Sequence, residues 1–572
     1  MSDAFRVTPH GGELVDLLAD PERVGQLRER SMGMASISLS SRQLSDLELL
    51  MNGAYSPLTG FMTRRDYDAV LDTQRLPDRT LWPLPVCLDI TASDAASLGS
   101  GEQVALRDSE GFMVAVLTVE DLWEIDKNQE ADAVYGTRDR THPGVDRLFG
   151  SESTHYLGGR VEGVQYPLHF AFRRLRHTPQ ELRRLYAKLG WRRVVGFHTR
   201  NPIHRAQFEM TLRAMAEARA NLLLHPVVGR VKTGDIDAYT RTRSYLAISH
   251  KYPPNMMLLS LLPFTMRLAG PREAMLHAII RKNYGCTHFV VGRHHASPGT
   301  SPDEPAFYDQ NGAREMLKEH SDELGIGIVS FDEMVYVREA DDYMTADEVS
   351  PEETVHVLSN DEFHQRIRTG KRVPEWFTFP EVIEVLQRAY PPRHRQGLTV
   401  FCTGLSGAGK STIARILYAR LLEMGGRPVT LLDGDIVRRN LSSELGFSKS
   451  HRNINVQRIG FVASEITKNR GIAICAPIAP YGKTREEIRK LIETYGGFVE
   501  VHVATPLTVC ESRDRKGLYA KARAGLIEGF TGINDPYEIP ARPEVFIDTT
   551  DMTPDESAQE VLLYLERAGY IK

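Results

Sequence analysis

The 572-residue chain has few cysteines, no long apolar run and almost no net charge, and each shortage removes a class of function. Its five cysteines, Cys87, Cys286, Cys402, Cys475 and Cys510, are odd in number, form no CxxC pair and have no histidine at metal-ligand spacing. That excludes a disulfide framework and a zinc knuckle and makes a reducing cytoplasm the simplest setting. The most apolar stretch, residues 256–264, is broken by Ser260 and falls far short of the roughly 20 residues that span a bilayer. The opening segment MSDAFRVTPHGG has no apolar core of a leader peptide, so the expectation is a cytoplasmic chain without a membrane partner. Lys and Arg number 70 against 75 Asp and Glu, a net charge of −5, which leaves no electrostatic footprint for nucleic acid or anionic lipid. Any anion must therefore be caught by a local site. Internal repeats and low-complexity tracts are also missing.

What is present is an ordinary globular composition, 41% hydrophobic and 25% charged, long enough for three to four domains at about 150 residues each. Residues 390–397 (YPPRHRQG) form a Pro-rich polar break, and the apolar run 398–402 follows it, which puts a domain boundary there. About 175 residues remain downstream, the size of one α/β domain. Residues 1–170 carry turn signals and short β-like runs at 82–90 and 112–118 and read as mainly β. From Arg192 the pattern becomes strand, turn, helix: residues 194–197 lead into a helical stretch with Phe208, Leu212, Met215 and Ala216 on one face. Further apolar strands at 222–224 and 288–292 complete an alternation that implies a parallel sheet covered by helices, hence an α/β multidomain protein.

The strongest motif runs through Gly404, Leu405, Ser406, Gly407, Ala408, Gly409, Lys410, Ser411 and Thr412, a complete G-x-x-x-x-G-K-S/T between an apolar strand and a helix. Glycines let backbone N–H groups turn toward phosphate oxygens, Lys410 reaches the β- and γ-phosphates of ATP, and Ser411 can ligate Mg²⁺. The bland alternative, a fortuitous Gly-rich turn, does not call for a strand and a helix at both flanks. The next strand ends in Asp433-Gly434-Asp435, and Asp435 is the candidate to orient an acceptor hydroxyl or the magnesium, or to cap the helix that follows. Arg438, Phe447, Arg452, Asn455 and Arg458, with segments 517–519 and 530–533, offer cations for a doubly anionic acceptor and rings for a base; singly, each Arg also fits a solvated helix face.

The segments LDGDIVR (432–438), LGFS (445–448), KGLY (516–519), KARAG (521–525) and FTGI (530–533) resemble adenylylsulfate (APS) kinase over nearly all of 398–572. The resemblance implies phosphorylation of the 3′-hydroxyl of adenosine 5′-phosphosulfate by Mg-ATP, giving PAPS. It assigns Arg438, Arg452, Asn455 and Lys516 to the acceptor's polar groups and Phe447 and Phe530 to its adenine. Arg513 falls to ATP, and 513–521 to a mobile lid. Where relatives have Ser in an I-S-P-Y sequence this chain has Ala479, which direct in-line transfer tolerates.

Upstream, three polar clusters follow apolar strands: His198 to Gln207, His225 to Gly229, and Gly292 to Ala296. One crevice at strand C-termini would unite them. Taken alone, His225 and His295 also read as structural histidines. Segments 55–62, 82–85, 231–235, 270–273, 277–284 and 334–336 (Met334, Val335, Tyr336) resemble ATP sulfurylase (sulfate adenylyltransferase) across about 1–390. The whole chain thus resembles a bifunctional ATP sulfurylase–APS kinase. That implies a PUA-like domain at 1–170, a Rossmann-like nucleotidyltransferase domain at 171–330, a small third domain at 331–390 and a P-loop kinase at 391–572. It also implies ATP, APS, sulfate and pyrophosphate as ligands, and a dimer or hexamer. Thr199, Arg200, Asn201, His204, Arg293 and Ala296 match the family pattern, but His198 replaces Gln, Gln207 replaces His and His294 replaces Asp. His198 would titrate near pH 6.5, Gln207 would withdraw a cation, and Arg293 would lose an orienting partner. The expectation is a kinase fused to a weak or inactive sulfurylase region; the alternative is a fully bifunctional chain. A third reading is a nucleotide kinase with another acceptor.

Overall fold

The computed structural model describes residues 7–229, 236–299, 306–446, 448–514 and 516–572; Phe447 and the side chain of Asp435 lie outside them. The chain divides into two compact units, one of 1–358 and 374–385, the other of 359–373 and 386–572.

The first unit begins around a sheet whose strands run Ala35–Ser38, Gln103–Arg107, Met113–Glu124, His155–Gly163 and Gly60–Phe61, with Leu88–Ile90 also paired to His155–Gly163. Helices Ser41–Met51 and Arg64–Thr73 flank it, each opened by a capping box, Ser40 with Gln43 and Thr63 with Asp66. Of the β-like run 82–90, only Leu88–Ile90 pairs. Pro83 and Pro85 have no N–H to donate to a ladder, so the preceding stretch is buried irregular chain, in which Trp82 Nε1 donates to the carbonyl of Leu84 at 2.7 Å.

A parallel sheet follows, in the order Gly327–Val329, His288–Val290, Val194–Phe197, Asn221–Leu224 and Met257–Leu259. Helix Arg205–Ala218 buries Phe208, Thr211, Ala214, Met215 and Ala218. The expected face included Leu212 and Ala216 instead. Thr211 takes the inner position because its hydroxyl donates to the carbonyl of Phe208 at 2.6 Å and meets the Tyr252 hydroxyl at 3.0 Å. Helix Gly270–Asn283 is buried almost all round, including Glu273, His277 and Arg281. Strands Met334–Val337, Asp342–Thr345 and Val355–His356 then make an antiparallel sheet.

In the second unit the parallel order is Val429–Asp433, Ile472–Ala476, Leu398–Thr403, Gly497–Val503 and Val545–Ile547. Leu398–Thr403 is central and buried throughout, as a strand covered on both faces must be. Val400 and Cys402 point to a core shared with Ile413, Leu417, Val561 and Leu565. Phe401 points the other way, among Val456, Ile459, Ile488 and Ile492. The strand therefore delivers its C-terminal end, and the loop at Gly404, from the middle of the sheet. Among the described residues no helix is long and apolar enough to cross a membrane.

The root of that strand depends on close backbone approach: a Cβ on Gly397 would stand 1.8 Å from the carbonyl oxygen of Thr467. Gly397→Ala is expected to destabilise the second unit by about 2 kcal/mol through overpacking. Differential scanning calorimetry should then show its transition about 4–8 °C lower, with the first unit's transition unmoved.

Candidate functional site

The phosphate loop is shaped by where its carbonyls go. Gly404, Gly407 and Gly409 have φ of +151°, +77° and +104°, and a side chain at 404 would strike the Val503 carbonyl at 2.3 Å. Lys410 Nζ donates to the carbonyl of Leu405 at 2.7 Å and Tyr519 Oη to that of Ser406 at 2.7 Å. Thr505 Oγ1 and Thr549 Oγ1 donate to that of Ala408 at 3.0 and 3.1 Å. With these carbonyls paired, the loop's N–H groups can face an anion in front of helix Lys410–Met424, apart from those of Gly404 and Ala408, which donate to the carbonyls of Ile478 and Leu405 at 3.3 Å each. Ser411 and Thr412 are exposed at its first turn. Arg513 reaches the same neighbourhood through Thr549, donating to Oγ1 and to the carbonyl, both at 2.8 Å.

Lys410 is buried, and burial pulls its ammonium down to about 8, with nearby Lys516 pushing the same way and Cys510, Cys402 and Asp433 opposing. The hydroxyl of Ser411 and the buried carboxylate of Asp433 are hard oxygen donors of the kind Mg²⁺ prefers.

On the acceptor side, Arg452 is already engaged. It donates through Nη1 to Thr531 Oγ1 at 2.7 Å and through Nη2 to Tyr481 Oη at 2.9 Å, and it pairs with Asp535 at 2.8 Å. Tyr481 Oη in turn donates to Asp535 at 2.8 Å. Nε of Arg452 and Oδ1 of Asn455, one turn apart on helix Lys449–Lys468, are buried with no hydrogen-bond partner among the described residues. Arg438 donates to the Gly446 carbonyl at 3.1 Å. Phe530 meets the ring edge of Tyr519, centroids 5.0 Å apart. Lys516 is exposed and close enough to depress Lys410. Arg458 takes the bland role, bonded to the Leu441 carbonyl and Glu444. Nothing in the sequence pattern singled out Thr505, Thr549 or Asp535, and Tyr481 entered only as the last residue of the I-S-P-Y comparison.

In the first unit, His198 comes together with His295 and with His277 from the buried helix, their ring nitrogens within 4.8 Å of one another. His198 and His277 stack at 4.2 Å, and His277 Nδ1 lies 3.0 Å from His295 Nε2. Arg281 Nη2 donates to His198 Nδ1 at 2.8 Å and to the His225 carbonyl at 3.1 Å. Stacked rings and an adjacent guanidinium suit an anion's surroundings better than a divalent cation. Burial holds His198 and His295 well below the ordinary imidazole value and lowers His277, so the expectation that His198 titrates near pH 6.5 is corrected: it is neutral. Both ring nitrogens of His225, Nη1 of Arg200, and Nε and Nη1 of Arg281 are buried without partners among the described residues. Arg281 and His277 were not among the expected site residues, although His277 opens one of the resembling segments.

The neighbouring positions are held as follows. Thr199 Oγ1 donates to the Asn201 carbonyl at 3.0 Å. Arg200 Nη2 approaches the Ser297 carbonyl at 3.5 Å. Gln207 Oε1 accepts from the backbone N–H of His204 at 3.1 Å, and His204 Nδ1 meets Thr378 Oγ1 at 2.8 Å. His294 is exposed with φ +52°, and Ala296 is buried beside it. Arg293 does not lose its orienting partner: Glu333 at 3.1 Å and Gln310 supply it. Val335 sits on Met334–Val337, a strand packed against helix Arg205–Ala218. Residues 230–235, which hold the whole of the 231–235 segment, lie outside the described residues.

Comparison with known proteins adds three family profiles: a PUA-like domain over 7–166, ATP-sulfurylase over 173–389 and adenylylsulphate kinase over 396–548. A sulfate adenylyltransferase of Phaeosphaeria nodorum is 47% identical over 98% of this chain and 99% of its own length. One of Mycosarcoma maydis is 46% identical over 98% and 99%. Among solved structures, a hexameric APS kinase from Thiobacillus denitrificans shares 43% identity, with a TM-score of 0.80 over 99% of this chain and 100% of that one.

The electrostatics of Lys410 give a pH dependence. A phosphate anion raises the ammonium's proton affinity, so above pH 8 ATP binding must take up a proton. ATP affinity is expected to be flat below pH 8 and to fall by up to tenfold per unit above it, read by calorimetric titration from pH 6.5 to 9.5. A flat profile to pH 9.5 contradicts this.

Proposed function

The chain belongs to the family of fused sulfate adenylyltransferases and APS kinases, an enzyme family, and on that premise we propose that the second unit transfers the γ-phosphoryl group of ATP to the 3′-hydroxyl of APS, yielding PAPS and ADP. The observation that carries this reading is the loop at Gly404, with its carbonyls paired outward and Lys410 at its mouth. Residues 404–412 and Arg513 hold ATP. Arg438, Phe447, Arg452, Asn455, Lys516 and Phe530 hold APS. Asp435 orients the 3′-hydroxyl and takes its proton as the 3′-oxygen bonds to phosphorus and the bond to the ADP oxygen breaks. Lys410 follows the charge on the moving group. Ser411 and Asp433, with Asp435, would hold a Mg²⁺ ion, which supplies neutralisation of phosphate charge. The domain limits that fit this assignment are 1–170, 171–330, 331–390 and 391–572, in a cytoplasmic homo-oligomer, dimer or hexamer.

For the first unit, the names of the curated relatives favour the bifunctional reading over the weak or inactive one: sulfate attacks the α-phosphorus of ATP, giving APS and pyrophosphate. Removal of APS by the kinase on the same chain draws that uphill step forward. A specific observation favours the second reading, a weak sulfurylase. The His198 ring is tied to Arg281 and stacked on His277, and Gln207 caps a backbone N–H instead of presenting a charge.

Lys410→Ala is expected to lower PAPS formation by about a thousandfold while leaving the first unit's melting transition unchanged. Near-normal activity would mean that this loop is not the catalytic phosphate site. In that variant, pyrophosphate-dependent ATP formation from APS reads the first unit alone. The bifunctional reading expects sustained turnover. Background-level ATP, recovered in a His198→Gln, Gln207→His, His294→Asp variant, would overturn it in favour of the second.

A further inference from the structure

Tyr519 joins the two substrate sites of the second unit through a single buried side chain. Its hydroxyl donates to the carbonyl of Ser406, inside the phosphate loop, at 2.7 Å. Its ring meets Phe530 edge to face, centroids 5.0 Å apart and planes 81° apart. The side chain is 3% exposed, so neither contact competes with bulk water. Two local devices fix its position: Gly517 turns the chain with φ +63°, and the carboxylate of Asp514 accepts from the backbone N–H groups of Tyr519 and Ala520 at 3.2 and 3.0 Å. The segment after Phe530 returns to the same loop, since a Cβ on Gly532 would stand 3.0 Å from the Leu405 side chain.

We propose that Tyr519 is a positioning residue that couples the two sites, so that ordering the phosphate loop around ATP and ordering Phe530 around the acceptor's base favour one another. This rests on the reading of the second unit as an APS kinase with ATP at the Gly404 loop and the acceptor's adenine at Phe530. The physical reason is shared immobilisation. A ligand on the loop fixes the Ser406 peptide and therefore the phenol, and a fixed phenol holds the Phe530 ring that the second ligand would otherwise have to order. Burial raises the phenol's proton affinity, so it stays a donor across the working pH range. On this reading the side chain reaches the two ligands through Ser406 and Phe530. Its removal should alter how each ligand senses the other and leave the chemistry of each site in place.

The test is Tyr519→Phe in the full chain, which keeps the ring against Phe530 and removes the hydroxyl, with its hydrogen bond to Ser406 and its contact with the Cys510 thiol. The affinity for APS is measured with and without a saturating non-hydrolysable ATP analogue, and that of the analogue with and without APS. Expected are single-ligand affinities within about twofold of wild type and a mutual tightening reduced by about fivefold, equal in both directions because the coupling is reciprocal. Phe530→Leu breaks the connection from the other end. It should lower the same coupling factor, and the double variant should lower it no further. Unchanged coupling in Tyr519→Phe, or additive losses in the double variant, overturns the proposal. Should Tyr519→Phe fail to fold, unchanged coupling in Phe530→Leu overturns it equally. A wild-type chain that binds neither ligand would instead refute the kinase reading on which the proposal rests.

Discussion

Everything in the second unit depends on the pairing of three carbonyls. A phosphate loop works only if its N–H groups are free to converge, and a peptide can turn its N–H inward only when its C=O has somewhere else to go. Here the carbonyls of Leu405, Ser406 and Ala408 are bonded by Lys410, Tyr519, Thr505 and Thr549. Those partners come from the loop's own helix, from the segment at 518–523, and from the ends of neighbouring strands. The central, fully buried strand Leu398–Thr403 brings the loop to them, and the two helix-covered faces hold that strand in place. The order of sheet, loop and the 518–523 helix is thus a matter of satisfied hydrogen bonds.

The first unit uses the same architecture with a different filling. Its strand ends also converge, but the groups they present are neutral imidazoles stacked beneath a buried guanidinium. Arg281, Arg200 and His225 leave several buried donors without partners among the described residues, which is costly unless a ligand or water completes them. Whether adenylyl transfer follows depends on a handful of atoms at positions 198, 207 and 294 and not on the fold, which is held by contacts elsewhere.

How much of this was legible in the sequence varies with the range of the interactions. The loop at Gly404 was readable because strand Leu398–Thr403, the glycines, the lysine and helix Lys410–Met424 follow one another without a break in the sequence. The hydroxyls that shape it were not: Thr505 and Thr549 bond a carbonyl 97 and 141 positions away, and threonine is too common to stand out. The apolar run 194–197 placed His198 at a strand end, where it is found. Its neutrality follows from burial beside His277 and Arg281, which no local pattern announces. Arg293 was expected to lose its partner with the change at His294, yet Glu333 stands 3.1 Å away from a different segment. The helix at Arg205 was found with its face turned by one position, because Thr211 buries its hydroxyl in pairs that polarity alone argues against.

The central claim is that the Gly404 loop serves a kinase whose acceptor is APS, and acceptor competition tests it most directly. The purified full chain is given ATP labelled in its γ-phosphate together with equal concentrations of APS and AMP, and the labelled products are separated. The account predicts label almost entirely on the 3′-oxygen of APS, as PAPS, with little on any AMP-derived product. Preferential labelling of AMP, or label released only as inorganic phosphate, would contradict it.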